Sequence, residues 1–154
     1  MRVQRRLSLE VVAVLALVAL SFGATSCQTL AGSGQSGAAL ADSKSKLAES
    51  RASMDRALQD GDLQGVGNAM KSIGSQFDEV ESKSSAMNLM DRENMAIQIA
   101  TGRRTITETD RWIQSNDAEA VKNQVAQLDP ILDNVDGLLD RAVKSSVPAD
   151  GGTQ

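Results

Sequence analysis

Asp55-Arg56-Ala57-Leu58-Gln59-Asp60-Gly61-Asp62-Leu63-Gln64-Gly65-Val66-Gly67-Asn68 and Asp110-Arg111-Trp112-Ile113-Gln114-Ser115-Asn116-Asp117-Ala118-Glu119-Ala120-Val121-Lys122-Asn123 lie 55 residues apart and align without a gap. Farther on, Met70, Ile73, Phe77 and Val80 meet Val125, Leu128, Leu132 and Val135, so the apolar register continues beyond the matched letters. Each copy contains a turn. Gly61 and Asn116 are residue types that tolerate the left-handed conformation ending a helix, and Asp62 and Asp117 can cap the next helix by accepting its free N–H groups. Each copy therefore predicts a helical hairpin.

The sequence on either side of the turns agrees. Leu63, Val66, Met70, Ile73, Phe77 and Val80 recur at spacings of three and four, as do Ala118, Val121, Val125, Leu128, Leu132, Val135, Leu139 and Ala142. Weaker stripes mark two more helices: Leu40, Leu47, Met54 and Leu58, and then Met95, Ile99, Gly102, Ile106, Thr109 and Ile113. Alternating β-branched runs are missing between residues 38 and 146, whereas Ala, Leu, Met, Gln, Glu, Lys and Arg are abundant. A lone hairpin leaves its apolar seam in water, and two facing hairpins close it. The expected fold is all-α, an antiparallel up-down four-helix bundle built from two similar hairpins over residues 38–146. Pro130 interrupts the last stripe. It removes the bond to Ala126 and bends the helix, or Asp129 caps a new helix there; the register running from Leu128 to Leu132 favours one bent helix.

Composition narrows the chemistry. The 154 residues contain no His and no Tyr, and Cys27 is the only cysteine. That excludes Ser-His-Asp and Cys-His catalysis, His-ligated zinc or haem, and any intramolecular disulfide.

The first 26 residues read as an export signal. Arg2, Arg5 and Arg6 precede the apolar run Val11–Leu20, which is too short to span a bilayer comfortably, since spanning takes about 20 residues. Ser21, Gly23, Ala24, Thr25 and Ser26 are small enough for a peptidase to grip. This arrangement, ending in Ala24-Thr25-Ser26-Cys27, resembles the type II signal peptide and lipobox of bacterial lipoproteins, although the pattern prefers Leu where Ala24 stands. The resemblance covers residues 1–27 and implies that Cys27 becomes the lipidated first residue of an extracytoplasmic protein. It also implies a membrane partner, because a diacyl anchor with a further N-acyl chain exceeds the two signals that stable attachment needs. Ordinary signal peptidase also accepts Ala24-x-Ser26 and would release a soluble protein with a free thiol. In the pattern of enteric bacteria an Asp after the cysteine favours the inner membrane. Gln28 therefore favours an outer-membrane anchor facing the periplasm, with the cell membrane of a Gram-positive host as the other possibility.

Residues 27–37, rich in Gly and Ser, read as a flexible tether with a reach of roughly 17 Å, and residues 147–154 as a disordered tail. Removal of residues 1–26 takes away three Arg and one Glu, leaving 13 basic and 19 acidic groups and a net charge of −6. Without clustered positive charge or stacking aromatics, no nucleic-acid partner is expected.

Four features of the sequence bear on a possible site. Asp129, Asp133, Asp136 and Asp140 form an acidic stripe, read as a solvated face pairing with Arg51, Arg56, Arg103, Arg104 or Arg111 in preference to a cation site. Met87, Met90 and Met95 read as flexible core filling ahead of a copper site. Trp112 reads as core packing or a buried anchor ahead of a ligand-stacking platform. Gly67, Gly74, Gly102 and Met70 could leave a cavity for an apolar molecule or lipid, against the plainer reading that glycine permits close helix packing. No catalytic, cofactor or metal site is assigned. The expected function is a non-catalytic interaction or scaffold module of the cell envelope, with an envelope protein or a second copy as partner. The alternative is a bundle that holds an apolar ligand in its core.

Overall fold

The computed structural model describes residues 32–146, with side chains from residue 37 onward. Four helices follow one another: α1 (Gly32–Gln59), α2 (Leu63–Lys83), α3 (Leu89–Gln114) and α4 (Ala118–Ser146). A single 3-10 turn, Ser84–Ala86, joins α2 to α3. Each helix packs on its neighbours in sequence and α1 packs on α4, so the chain forms a closed ring of antiparallel helices. This is the expected four-helix bundle of two hairpins. The signal segment, Cys27 and the tail 147–154 lie outside the described residues.

The two hairpin turns are the same structure twice. In the first, Gly61 N donates to Leu58 O (3.3 Å) and Asp62 N to Ala57 O (2.9 Å). In the second, Asn116 N donates to Ile113 O and Asp117 N to Trp112 O, both at 3.0 Å. These are paired Schellman bonds, which satisfy carbonyls that a helix end leaves open. They require a left-handed residue, and Gly61 (φ 71°) and Asn116 (φ 56°) supply it. Asp62 Oδ1 then accepts from Gly65 N, and Asp117 Oδ1 from Ala120 N, each at 2.9 Å. Every one of these bonds maps onto its counterpart through the 55-residue shift seen in the sequence.

Val66, Met70, Ile73, Phe77 and Val80 of α2 and Val121, Val125, Leu128, Leu132, Val135, Leu139 and Ala142 of α4 are all buried. Ile131 and Leu138 widen the buried face of α4. Pro130 sits inside one continuous helix and does not begin a new one. The apolar side chains on both sides of it hold the helix in place through tertiary packing, which offsets the lost bond.

Several expectations need correction. α1 begins at Gly32, the sixth residue of the stretch 27–37 read as tether. Once the helix is established from residue 38, extending it costs little, and Gly37 lies directly against Ser146 of α4. Ala118 is exposed, because as the first residue of α4 it stands at the rim of the bundle. In α3 the more deeply buried position is Thr105, while Ile106 is half-buried at the core edge. Thr105 and Thr109 enter the core at little cost because their hydroxyls donate to Thr101 O (3.2 Å) and Thr105 O (2.8 Å).

Within the core, Gly102 of α3 faces the Phe77 ring, where an added Cβ would lie 2.5 Å from Cε2. Gly74 of α2 faces open space. Gly102→Ala should therefore destabilise the bundle by about 1–3 kcal/mol before a helix-propensity gain of up to about 1 kcal/mol, and Gly74→Ala should stabilise it by about 0.5–1 kcal/mol. Urea unfolding followed by circular dichroism measures both, and opposite signs are expected.

Candidate functional site

The polar faces carry a set of interhelix ion pairs. On the seam between α1 and α4, Arg51 Nη1 donates to Asp133 Oδ1 (2.5 Å) and Nη2 to Asp129 Oδ1 (3.0 Å). One heptad earlier, Lys44 bonds Asp140 and stands 3.5 Å from Asp136. Two cations seven residues apart thus occupy all four carboxylates of the acidic stripe. Arg51 is one of the cations the sequence points to, and Lys44 is not. Arg103 turns instead to α2, with 2.5 Å to Asp78 and 2.7 Å to Glu81, and Arg104 pairs with Glu108 on its own helix. Among the described residues Arg56 and Arg111 form no ion pair with the stripe, and no three acidic or sulfur ligands gather as a metal site.

These contacts are largely exposed, so each on its own contributes little to stability. Their value is in register: only the observed alignment of α1 along α4 gives each of the two cations two carboxylates. Electrostatics follow the geometry. The Lys44 ammonium holds the Asp140 carboxyl below the usual carboxylate range. The Arg141 guanidinium, and after it Asn88, does the same for Asp91. The hydrogen bonds that Lys44 donates to Asp140 and Arg51 to Asp133 hold both cations above their ordinary values.

The seam glycines are mostly filled. The Phe77 ring takes the space at Gly102, Ile113 Cδ1 lies 3.2 Å from where a Cβ of Gly67 would stand, and Met70 is fully buried. Grooves lie between helices on the surface instead. One of about 250 Å³ between α3 and α4 is lined by amides and charges, among them Asn94, Gln98, Asn134 and Arg141. Another, of about 390 Å³, lies between Leu58, Leu63 and Ala118 at the end where the two hairpin turns meet.

The methionines do not act together. Met87 and Met95 are buried in the core, as expected of flexible filling, but Met90 is 67% exposed. Trp112 is also a correction: its side chain lies outside, 41% exposed, while Ile113 is buried. The matching residue of the first hairpin is Ala57, whose Cβ lies 2.9 Å from where a Cβ of Gly65 would stand. In the second hairpin the corresponding pair is Trp112 and Ala120, and an indole does not fit in a gap of that width. Leu89 (58%) and Ile97 (61%) complete the set of large exposed apolar side chains among the described residues, all of them on α3. Sequence reasoning missed this concentration. Its signal was present in Leu89, Met90 and Ile97, apolar residues lying off the Met95–Ile113 stripe.

The start of α1, the end of α2, the start of α3 and the end of α4 lie at one end of the bundle. Lys83 Nζ, at the end of α2, donates to Ala39 O (3.3 Å) and Ser43 Oγ (2.9 Å) near the start of α1. Arg141 of α4 donates to Asp91 Oδ1 (3.0 Å) in the first turn of α3. Among the described residues no helix is long and apolar enough to cross a membrane. The chain matches no family model, no curated protein and no solved structure.

Asp91 and Asp140 titrate below their unfolded values. The stability they confer is therefore complete above the unfolded carboxylate pKa, roughly 4, and is lost as pH falls through their lower folded values. Asp140→Asn should lower the urea midpoint at neutral pH and flatten its decline below roughly pH 4. Urea titrations at a series of pH values check this, and an unchanged acid limb would contradict it.

Proposed function

We propose that this protein is an extracytoplasmic lipoprotein, anchored through acylated Cys27, whose helical bundle serves as a non-catalytic interaction or scaffold module of the cell envelope. The observation that carries this reading is how completely the chain uses its own interior. The apolar stripes of all four helices are spent on each other, and Phe77 and Ile113 occupy the space beside Gly102 and Gly67. What the protein offers to other molecules is its outer surface, which is polar, ordered by ion pairs and interrupted by a few large apolar side chains on α3. A held surface of that kind suits binding, and no step of chemistry is needed for it.

Further support comes from the sequence at the start of the chain. The export signal and lipobox-like Ala24-Thr25-Ser26-Cys27 are followed, five residues after the cysteine, by the first residue of α1 at Gly32. Such spacing ties the bundle closely to its anchor. The partner in this reading is another envelope protein or a second copy of the chain, and the favoured site is the periplasmic face of an outer membrane.

The intact mass of the N-terminal peptide recovered from membranes tests the anchor. It should begin at Cys27 and carry fatty acyl chains, and Cys27→Ser should move the protein out of the membrane fraction. An unacylated peptide beginning at residue 27 would overturn the anchor. Cross-linking in intact cells tests the module: a defined adduct is expected, and its absence would remove the scaffold role.

A further inference from the structure

We infer that the outer face of α3 is a self-association surface, on which a second copy of this chain lays its own α3 antiparallel, Glu93 of each copy pairing with Arg104 of the other. This inference rests on the interaction-module reading, to which it adds the partner and the face, and it does not depend on the anchor.

The exposed residues of α3 keep a register of their own. Met90, Glu93, Ile97, Ala100, Arg104 and Thr107 recur at spacings of three and four, and all six are exposed. The core stripe Met95–Ile113 has the same spacing on the opposite side of the helix. α3 therefore carries two seams, one spent on its own bundle and one facing out. Every large apolar side chain that the described residues expose stands on this helix, Met90 and Ile97 within the outer seam and Leu89 and Trp112 at its flanks. Scattered exposed apolar residues need no partner, but a set gathered on one helix at seam spacing marks an interaction surface.

The charges of the seam determine what fits it. Glu93 lies in its first half and Arg104 in its second, eleven residues apart. An identical helix laid antiparallel brings Glu93 opposite Arg104 of the second copy and, by the same two-fold axis, Arg104 opposite Glu93 of the second copy. Between these pairs Ile97 meets Ala100 of the second copy on either side of the axis, so the centre is aliphatic and the small residue leaves room for the larger one. Met90 meets Thr107 of the second copy. Trp112, leaning toward the start of its own helix, comes to the level of Met90 of the second copy.

Other arrangements lose these matches. Parallel helices in register set Glu93 against Glu93 and Arg104 against Arg104. An antiparallel shift of one heptad pairs Glu93 with Arg111 but sets Ile97 against Thr107 and Ala100 against Arg104. The opposite shift sets Glu93 against Ile97 and carries Arg104 past the start of the facing helix. Complementary charge thus fixes both direction and register. Within one chain the two groups are available: Glu93 is in no ion pair among the described residues, and Arg104 pairs with Glu108 one turn along its own helix, an exposed contact that costs little to share. The chain as a whole is net −4, which opposes association in general, so a face where acid and base balance is where two copies can approach.

From Met90 to Thr107 the seam runs about 26 Å, seventeen residues of helical rise, and it is one helix wide. That is small beside the roughly 1,200–2,000 Å² of stable interfaces, so the dimer is weak and depends on concentration. The two-fold axis stands across α3, and the two chain starts leave from opposite ends. A pair on one membrane therefore lies along it.

Sedimentation equilibrium of the chain as cells produce it, in a density-matched neutral detergent, tests this. The unsubstituted protein should show a reversible dimer that added salt weakens. Glu93→Arg and Arg104→Glu each turn both attractions into repulsions and should each raise the dissociation constant about tenfold or more. Ile97→Asp should weaken the dimer as well. An equimolar mixture of the two charge variants should dimerise like the unsubstituted protein, because each exchanged charge then meets its opposite; recovery on mixing also shows that both variants are folded. A chain that stays monomeric at every concentration would overturn the inference, and a cellular adduct with another protein would then leave the interaction module standing. A dimer indifferent to all three substitutions would overturn it in favour of a contact through another face. Charge variants that dissociate alone and do not recover on mixing would overturn the antiparallel pairing. Loss of every cellular adduct, while the purified chain still dimerises through α3, would remove the module and leave the surface.

Discussion

Closing the apolar seam is a harder problem for α1 than for the other helices, and the bundle depends on how it is solved. α2 and α4 present large aliphatic side chains at nearly every inward position. α1 presents one per seven residues, Leu40, Leu47 and Met54, and fills the alternate inward positions with Ser43, Ser50 and Ala57. So little volume can exclude water only if the neighbouring backbone comes close. It does: Ser50 Oγ and Ser72 Oγ are 2.8 Å apart, and Ala57 lies against Gly65 with no room for a larger residue. Close approach replaces bulk, and dispersion contacts between backbones take the place of those a leucine would make. The buried serines cost little because each finds a partner, Ser43 on Ala39 O at 3.1 Å and Ser50 on Ser72.

A helix that binds through small residues is poorly fixed along its length, because smooth surfaces slide. The charges on the other flank of α1 supply what packing does not. Lys44 and Arg51 repeat at the heptad interval and meet carboxylates spaced four, three and four along α4, an arrangement satisfied in only one alignment. Exposed ion pairs contribute little energy, yet here they need only discriminate between registers that packing leaves nearly equal.

Legibility in the sequence follows the same division. α2 and α4 were readable because hydrophobic periodicity is a direct record of burial, and the two turns were readable because left-handed backbone restricts the residue to Gly or Asn. α1 and α3 were only half readable: Ser50 and Thr105 are core residues whose letters suggest surface, and they become core through hydrogen bonds invisible in a pattern. Conversely, Trp112 and Met90 suggest core and lie outside. The counterpart of Trp112 in the first hairpin is Ala57, packed against Gly65, so its place outside is apparent only when the two hairpins are compared. The helical start at Gly32 was hidden for a similar reason, since Gly and Ser favour coil locally and the contact of Gly37 with Ser146 is made across the bundle. At the candidate site, the carboxylate stripe and Arg51 were legible, whereas Lys44 required knowing which heptad of α1 faces which turn of α4.

The two ends of the bundle differ in a way that bears on orientation. The far end is closed by two equivalent Schellman turns, products of the internal repeat, whereas the 3-10 connection at the near end has no counterpart because it joins the copies to each other. Next to that connection Met87 is buried, and Leu89 and Met90 at the start of α3 are exposed. α4, at 29 residues, is about 44 Å long, more than twice the contour of about 18 Å between Cys27 and Gly32. Under the proposed anchor an upright bundle therefore holds Trp112 and the groove between Leu58, Leu63 and Ala118 far from lipid, however the tether is arranged. The internal repeat thus gives the bundle two unlike ends on a scaffold whose interior is the same throughout.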